Sequence, residues 1–445
     1  MGSTTESPRA CDVLVVGGGA AGLSAAVAAA KAGAHVLVVE REHELGGILQ
    51  QCIHNGFGLH RFGEELTGPE FASRDIREVE ASDLIDVELD TSVVSLAAGP
   101  DGGHVATISG PRVGYTRVAC GAVVLACGCR ERNRGNINIA GTRPAGVWTA
   151  GTAQKLVNCD GALVGREVVI LGSGDIGLIM ARRMTWEGAH VICVCELASE
   201  PGGLRRNIAQ CLDDNGIPLY LSTTVTQIFG SPRLTAVELS EVDPKTFAPI
   251  PGTQRIVECD TLLLSVGLIP ENAVAETAGV EIDRATSGPS VDERYQTSVP
   301  GIFVAGNELH VHDLADYVSE EDVEAGRAAA EHALAGNGAQ ASPEGAIVVS
   351  AGECVGSITP QRISFDADAA VVRLRSRARI EGADLVVSCG DQVIRRLKRQ
   401  IVVPSEMQTI KLRPAELDQV RGLVGADGVA RVSVSCVEAK RGGVA

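Results

Sequence analysis

The chain has 445 residues, 45% of them hydrophobic, which is more than a single core organises and predicts two to four domains. Lys and Arg number 39 against 56 Asp and Glu, and the resulting charge of −17 argues against a nucleic-acid or anionic-membrane surface. Thirteen dispersed cysteines without a CxxC exclude a zinc ribbon or a small disulfide framework, and apolar runs such as VLVV and LSAAVAAA are too short to cross a bilayer, so a soluble cytoplasmic protein with reduced thiols and no integral membrane segment is expected.

Residues 12–40, DVLVVGGGAAGLSAAVAAAKAGAHVLVVE, read as an apolar strand, a glycine turn, an alanine-rich helix and a second strand ending in an acid. DVELDTSVVSLAAGPDGGHVATISG and TRVACGAVVLACG then alternate polar and apolar residues, as short antiparallel strands decorating that module would. Residues 167–196, EVVILGSGDIGLIMARRMTWEGAHVICVCE, repeat the strand, turn, helix and strand with the same punctuation. PLYLSTTVTQIFGSPRLTAVELSEVD and TLLLSVG are strand-rich, and VPGIFVAGN leads into the helix SEEDVEAGRAAAEHALAG, where the chain returns to its first domain. GNGAQASPEG reads as a linker, and the remainder alternates in short strands with one helix at AELDQVRGLV.

In the first module Gly17, Gly19 and Gly22 form GxGxxG directly after a strand. Gly17 permits the tight turn, Gly19 lets a pyrophosphate reach the backbone, and Gly22 lets helix and strand pack closely. The helix opening at Ala20 and Ala21 turns its positive end to the phosphates, and Glu40 can accept from ribose hydroxyls. Gly172, Gly174 and Gly177, with Asp175 and Ile176 between them, repeat the fingerprint, and Glu196 ends the next strand. A carboxylate there repels a 2′-phosphate and favours NAD over NADP, although Arg205 and Arg206 could serve a phosphate if their loop folds back. Hydride transfer needs a nicotinamide stacked on a second redox ring, so two dinucleotide modules in one chain assign FAD to the first and NAD to the second.

Over residues 10–335 the chain resembles the two-dinucleotide flavoprotein reductases related to thioredoxin reductase. VVLACG is similar to that family's strand passing beneath the FAD, which implies roles for Ala126, Cys127 and Gly128. GIFVAGN resembles the segment holding the ribityl chain, with Gly306 in place and Asn307 where an Asp is usual; an amide still donates and accepts. LGGILQQCIHNGFG resembles the flavin-lining segment, implying Gly46, Gly47, Ile48 and Asn55, and the same resemblance adds Arg41, Val93 and, in TLLLSVGLIPEN, Gly267 as cofactor contacts. It implies an α/β fold with two Rossmann-like domains, the FAD domain (1–150 and 286–336) interrupted by the NAD domain (151–285), and a C-terminal β-rich domain at 346–445.

No CxxxxC follows Gly47, so no dithiol can take electrons from a flavin and disulfide reduction is not expected. Cys52 is either a flavin-facing thiol or a buried small residue; Cys193 and Cys195 share a strand face and pack or bind metal, with packing the plainer reading, as it is for Cys127 and Cys129. His310, His312 and Asp313 form the densest polar cluster, open to a hydrogen-bonded loop, an active-site lining or a metal site. Arg130, Glu131, Arg132 and Arg134 either contact NAD or a partner or form a solvated loop, and RRLKRQ at 395–400 is a solvated strand edge or a docking site for an acidic partner.

LGGILQQCIHNGFGLHRFGEELTGPEF, IAGTRPAGVWTAGTAQKLVN, GNELHVHDLADYVSEE and IVVPSEMQTIKL together resemble the NAD-linked flavin reductase subunit that accompanies anaerobic-type glycerol-3-phosphate dehydrogenase. That implies an oligomeric assembly with an iron-sulfur small subunit, together with a glycerol-3-phosphate-dehydrogenase-like flavoprotein, working by bound cofactors without a catalytic acid or base. Rival readings are an NADH oxidase, an amino-acid-oxidising subunit related to opine and proline dehydrogenases, whose C-terminal cysteine cluster is missing since Cys354, Cys389 and Cys436 are isolated, and a cofactor-loaded scaffold without turnover.

Overall fold

The computed structural model describes residues 9–99, 102–312, 315–336 and 346–439. Chain contacts divide it into two units, one of Met1–Gln50, His54–Cys129 and Pro270–Ala445, the other of Gln51–Ile53 and Arg130–Ile269. The second unit is therefore displaced from the expected 151–285. Residues 270–285 return early because Ala275 and Val280 enter the core of the first unit beside Val291 and Ile302, a choice made by burial with no compositional break to announce it.

The first unit is built on a sheet in which Ile85–Glu88, Val36–Val39, Arg9–Val16 and Gly114–Leu125 run parallel in that order. Val13, Leu14 and Val15 are fully buried, as a near-continuous apolar run in a central parallel strand should be. The segment TRVACGAVVLACG corrects its expected role. Residues 114–120 do pair antiparallel with His104–Gly110, but 123–125 pair parallel with Ile302–Val304, so this strand is central to the sheet. Its alternating first half belongs to the hairpin, while Ala122 to Leu125 are all fully buried.

Helix Ala20–Lys31 crosses helix Ala315–Leu334 through small residues; a Cβ at Gly326 would strike the Ala25 carbonyl, so glycine sets this close approach. Within the same unit Ala346–Ala351, Ala430–Glu438, Ile380–Cys389 and Gln392–Val402 form one C-terminal sheet with Arg362–Ser364, and Val355–Thr359, Ala370–Ser376 and Gln408–Leu412 form a second. Ala430, Val432, Val434 and Cys436 alternate inward into a separate core, which accounts for Cys436 as a packing residue. The one helix expected here is Pro414–Arg421. Linker residues 337–345 lie outside the described residues.

The second unit repeats the parallel plan: Val147–Thr149, Thr261–Leu264, Glu167–Leu171, His190–Cys195 and Leu219–Tyr220 lie side by side, and Thr223–Phe229, Ala236–Glu241 and Arg255–Glu258 form an antiparallel layer. No helix among the described residues is long and apolar enough to cross a membrane.

Candidate functional site

In the first unit the glycine turn is crowded at Gly17, Gly18 and Gly22 and open at Gly19. Gly17 has φ +105°, and a Cβ there would stand 2.5 Å from the Ala126 carbonyl, while one at Gly22 would strike the Gly17 carbonyl. At Gly19 the nearest atom to an added Cβ would be Gly47 Cα, 4.0 Å away, so the open face is where a phosphate can approach the backbone. The helix starting at Ala20 has no side-chain cap, leaving its first-turn N–H groups for an anion. The following helical residue, Ala21, is only partly buried.

Several of the other residues predicted to hold FAD lie against this turn. Gly46 N donates to Gly18 O at 2.8 Å, setting the Gly46 and Gly47 pair against the turn, and Ala126 N donates to Val16 O at 2.9 Å. Glu40, almost wholly buried, accepts from Gly18 N at 2.6 Å and Glu42 N at 2.8 Å, which fixes a carboxylate at the strand end while leaving lone pairs for ribose hydroxyls. Cys127 N donates to Glu308 Oε2 at 2.6 Å and Glu271 N donates to Gly128 O at 3.0 Å, so the strand end carrying Gly128 meets the Gly306 and Asn307 turn. Ile48 is 60% exposed, and Arg41 and Asn55 are exposed. Val93 pairs with Ile108 and packs partly on the core.

Glu308 is a functional candidate that sequence reasoning missed. Burial pushes its carboxyl up to about 8, against the hydrogen bond from Cys127 N, which favours ionisation. Burial also drives the Cys127 thiol well above its usual range, with Glu308 adding to the effect. Its only signal was an acid next to Gly306 and Asn307.

In the second unit a Cβ at Gly172, φ +98°, would strike the Ser265 carbonyl, and one at Gly177 would stand 2.8 Å from Gly172 O, whereas Gly174 faces open space beyond Ser265 Oγ at 3.5 Å. Helix Asp175–Trp186 also begins without a side-chain cap. Glu196 Oε2 accepts from Ser173 N at 2.9 Å and Ser173 Oγ at 2.6 Å, and Oε1 accepts from Ala198 N at 2.9 Å. The loop at 200–204 does fold back: Gly202 N donates to Ser173 Oγ at 2.8 Å and Leu204 N to Asp175 Oδ1 at 2.9 Å. Arg205 and Arg206 follow it, both exposed. Ile176 is half-buried, and Gly267 O accepts from Arg132 N at 2.9 Å. Ser173 and Ser265, neither singled out from sequence, are the hinge of this cradle; the first was visible inside GSGDIG.

The other clusters resolve by their neighbours. Gln51–Ile53 belongs to the second unit, where Gln51 Nε2 donates to Gly151 O at 2.9 Å. Cys52 Sγ lies 3.8 Å from Gln154 Oε1, and burial pushes its thiol up to about 12, the behaviour of a buried small residue. Cys193 and Cys195 sit with their sulfurs 3.9 Å apart in a buried strand, and none of the thirteen cysteines is joined in a disulfide. Glu131 Oε1 accepts from Gly151 N at 2.7 Å, and Arg134 Nη2 donates to Gly141 O at 2.8 Å. Within RRLKRQ, on the edge strand Gln392–Val402, Arg395 pairs with Glu416 at 3.0 Å and Arg396 with Asp384 at 2.8 Å. Asp313 lies outside the described residues; His310 and His312 meet Glu321 in the first unit.

Two uncapped helix ends behind open glycines, each with a carboxylate at the end of the next strand, define a two-dinucleotide flavoprotein. The chain belongs to the pyridine nucleotide-disulphide oxidoreductase family, whose profile matches residues 11–339 and whose members bind FAD and NAD(P)H. It is 28% identical over 345 residues to the mitochondrial dihydrolipoyl dehydrogenase of Caenorhabditis elegans, covering 70% of this chain and 66% of that one. To an opine oxidase subunit of Agrobacterium tumefaciens it is 28% identical over 312 residues, covering 66% and 61%. The chain thus spans slightly less than two thirds of the length of these curated relatives. The crystal structure of T. acidophilum thioredoxin reductase shares the fold, with a TM-score of 0.59 and 24% identity over 73% of this chain and 99% of that one.

Proposed function

We propose that this chain is the NAD-linked flavin subunit of an electron-transfer complex. Bound FAD and NAD would supply the chemistry, a hydride exchanged between nicotinamide and flavin. The residues supply binding and orientation: Gly17, Gly19 and Gly22 with Glu40 hold the first nucleotide, and Gly172, Gly174 and Gly177 with Glu196 the second. The observation that carries the reading is the pair of complete cradles in a chain without a CxxC or CxxxxC. A flavin here has no CxxC or CxxxxC pair to exchange electrons with, so we assign its redox partner to a separate protein of the complex, an iron-sulfur protein linked to a flavoprotein that oxidises glycerol 3-phosphate, with net flow from that partner through the flavin to NAD in the cytoplasm. The segments resembling that flavin subunit, from LGGILQQCIHNGFG to IVVPSEMQTIKL, support this choice.

Anaerobic stopped-flow mixing with NADH tests the core. The flavin absorbance should bleach within about a second, and a one-electron acceptor should restore it, while dihydrolipoamide should give no reduction. Absent bleaching would leave a scaffold, and rapid recovery in air alone would make the protein an oxidase. Similarity to the opine oxidase subunit favours a second reading, in which the partner oxidises an amino-acid-derived substrate. Co-purification from the native cell separates the two by the substrate that the intact complex oxidises.

A further inference from the structure

The turn after Gly306 and Asn307 carries two histidines whose neighbours come from distant parts of the first unit. Asn307 Oδ1 lies 3.1 Å from both the backbone N and the ring Nδ1 of His312. The other ring nitrogen, Nε2, stands 3.2 Å from Glu321 Oε1, and His310 Nε2 stands 3.2 Å from Glu321 Oε2, with the two rings 4.2 Å apart. Glu321 is completely buried. Arg373, from the C-terminal strand Ala370–Ser376, reaches in with Nε 2.7 Å from Glu321 Oε1 and Nη1 donating to Tyr295 Oη at 2.9 Å. Its neighbour Arg375 donates to Val311 O at 2.8 Å. Asp322, also fully buried, faces Glu321 and the Gly306 backbone.

Two physical points follow. The ligating atoms of His310, His312 and Glu321 lie within 4.8 Å of one another, but Arg373 already brings the positive charge that a divalent ion would supply, and an ion there would sit against the guanidinium. Second, His312 lies between Asn307 Oδ1 and the Glu321 carboxylate, so the position of its ring is set from both sides. With Oδ1 turned to His312, the Asn307 amide N–H group is the one left for other partners, 3.8 Å from Cys129 Sγ.

We propose that Arg373 is a positioning residue for the flavin site: it fixes Glu321, Glu321 fixes His312, and His312 sets which group Asn307 presents to the cofactor. The C-terminal β-domain, outside the segment matched by the family, thereby takes part in holding FAD. The inference rests on FAD occupying the first glycine cradle and is independent of the electron acceptor's identity.

The test uses the full-length holoprotein and compares Arg373→Met, Arg373→Lys, His312→Gln, the Arg373→Met/His312→Gln pair and, as a control, Arg431→Met, which breaks an exposed pair with Asp427 in the same domain. FAD dissociation constants and flavin midpoint potentials are measured for each. Arg373→Met and His312→Gln should each weaken FAD roughly tenfold, about one lost hydrogen bond. Arg373→Met removes positive charge from the site and should lower the potential, by about 30 mV if the ratio of reduced to oxidised affinity falls tenfold. Because the residues act in series, the double variant should be no worse than either single one. Lysine at 373 should recover most of the loss, and Arg431→Met should change nothing. Unchanged affinity in folded Arg373→Met, additive losses in the double variant, or no recovery by lysine would each overturn the proposal. Should Arg373→Met not fold, Tyr295→Phe frees one arm of Arg373 without changing charge and should lose FAD affinity non-additively with His312→Gln; additivity there refutes it equally. Failure of the wild-type chain to bind FAD would instead overturn the cofactor reading itself.

Discussion

Replacing Glu196 by glutamine isolates what selects the nicotinamide nucleotide. In the folded chain two charges oppose each other: the Glu196 carboxylate at the strand end and the exposed Arg205 and Arg206 behind the folded-back loop. A carboxylate about 4 Å from a 2′-phosphate is unfavourable by about 4 kcal/mol per unit charge at an effective dielectric of 20, whereas an exposed arginine contributes about 0–1 kcal/mol. The carboxylate therefore wins, and NADH is the expected substrate. Glutamine removes the charge and keeps an oxygen for Ser173, but its amide then meets the Ala198 N–H donor to donor, which costs about 1 kcal/mol. NADH should weaken by roughly fivefold while NADPH improves, so the ratio of their kcat/KM values should fall by about tenfold or more, since 1.4 kcal/mol is a factor of ten. Steady-state rates with a one-electron dye acceptor measure the ratio, and stopped-flow titration of flavin reduction gives the separate binding terms. An unchanged ratio refutes the argument. So would a wild-type preference for NADPH that disappears in an Arg205→Ala/Arg206→Ala variant, which would transfer the choice to the loop.

Glu308→Gln should change how stability depends on pH. The Glu308 carboxyl is raised from 4.5 to about 8 by burial, so between those values the folded chain keeps a proton that the unfolded chain has released. Folding therefore loses stability as pH rises through that window, by about 1.4 kcal/mol per unit, fully above 8 and not at all below 4.5. Glutamine never ionises, so the variant should melt above wild type at pH 8 and level with it near pH 4.5; a gap that does not grow with pH would disprove the assignment. Gly22→Ala drives a methyl into the Gly17 carbonyl and should cost about 1–3 kcal/mol together with most FAD binding, read from flavin retained on gel filtration; full retention would mean the turn is not the cradle. Asp75→Ala removes the carboxylate that Arg61 grips at 2.6 and 2.7 Å and that Ser24 meets at 3.2 Å, and should destabilise the first unit by about 3–5 kcal/mol in urea melts, with a loss under about 1 kcal/mol showing that the pair is idle.

Both glycine cradles were legible because the constraint is local. A positive φ at Gly17 and Gly172, and carbonyls filling the space of any Cβ there, can be met only by glycine within a few residues of a strand end. Glu40 and Glu196 were legible for a similar reason, closing strands at a fixed interval from the turn. What could not be read depended on pairing across the chain. The 114–125 strand looked like decoration because its first half obeys a hairpin and only its second half obeys the parallel core. Glu308 and Glu321 looked like ordinary acids in polar stretches; their burial is decided by Cys127 in one case and by Arg373, in another domain, in the other. The return of residues 270–285 was hidden likewise, since Ala275 and Val280 differ from surface residues only in what covers them.

The thiols bear on where electrons go. Attack on a disulfide requires a thiolate, and a resolving thiol must lie close by. Cys127, beside the first cradle, is driven well above its usual range by burial, with Glu308 adding to it, and Cys52 is pushed up to about 12. Neither would carry appreciable thiolate at neutral pH, and a neighbouring thiol, Cys159, raises Cys52 further. A thiol held protonated at either place is a poor nucleophile for disulfide exchange. Disulfide exchange is thereby disfavoured at these thiols, which supports the proposal that the flavin's redox partner is another protein.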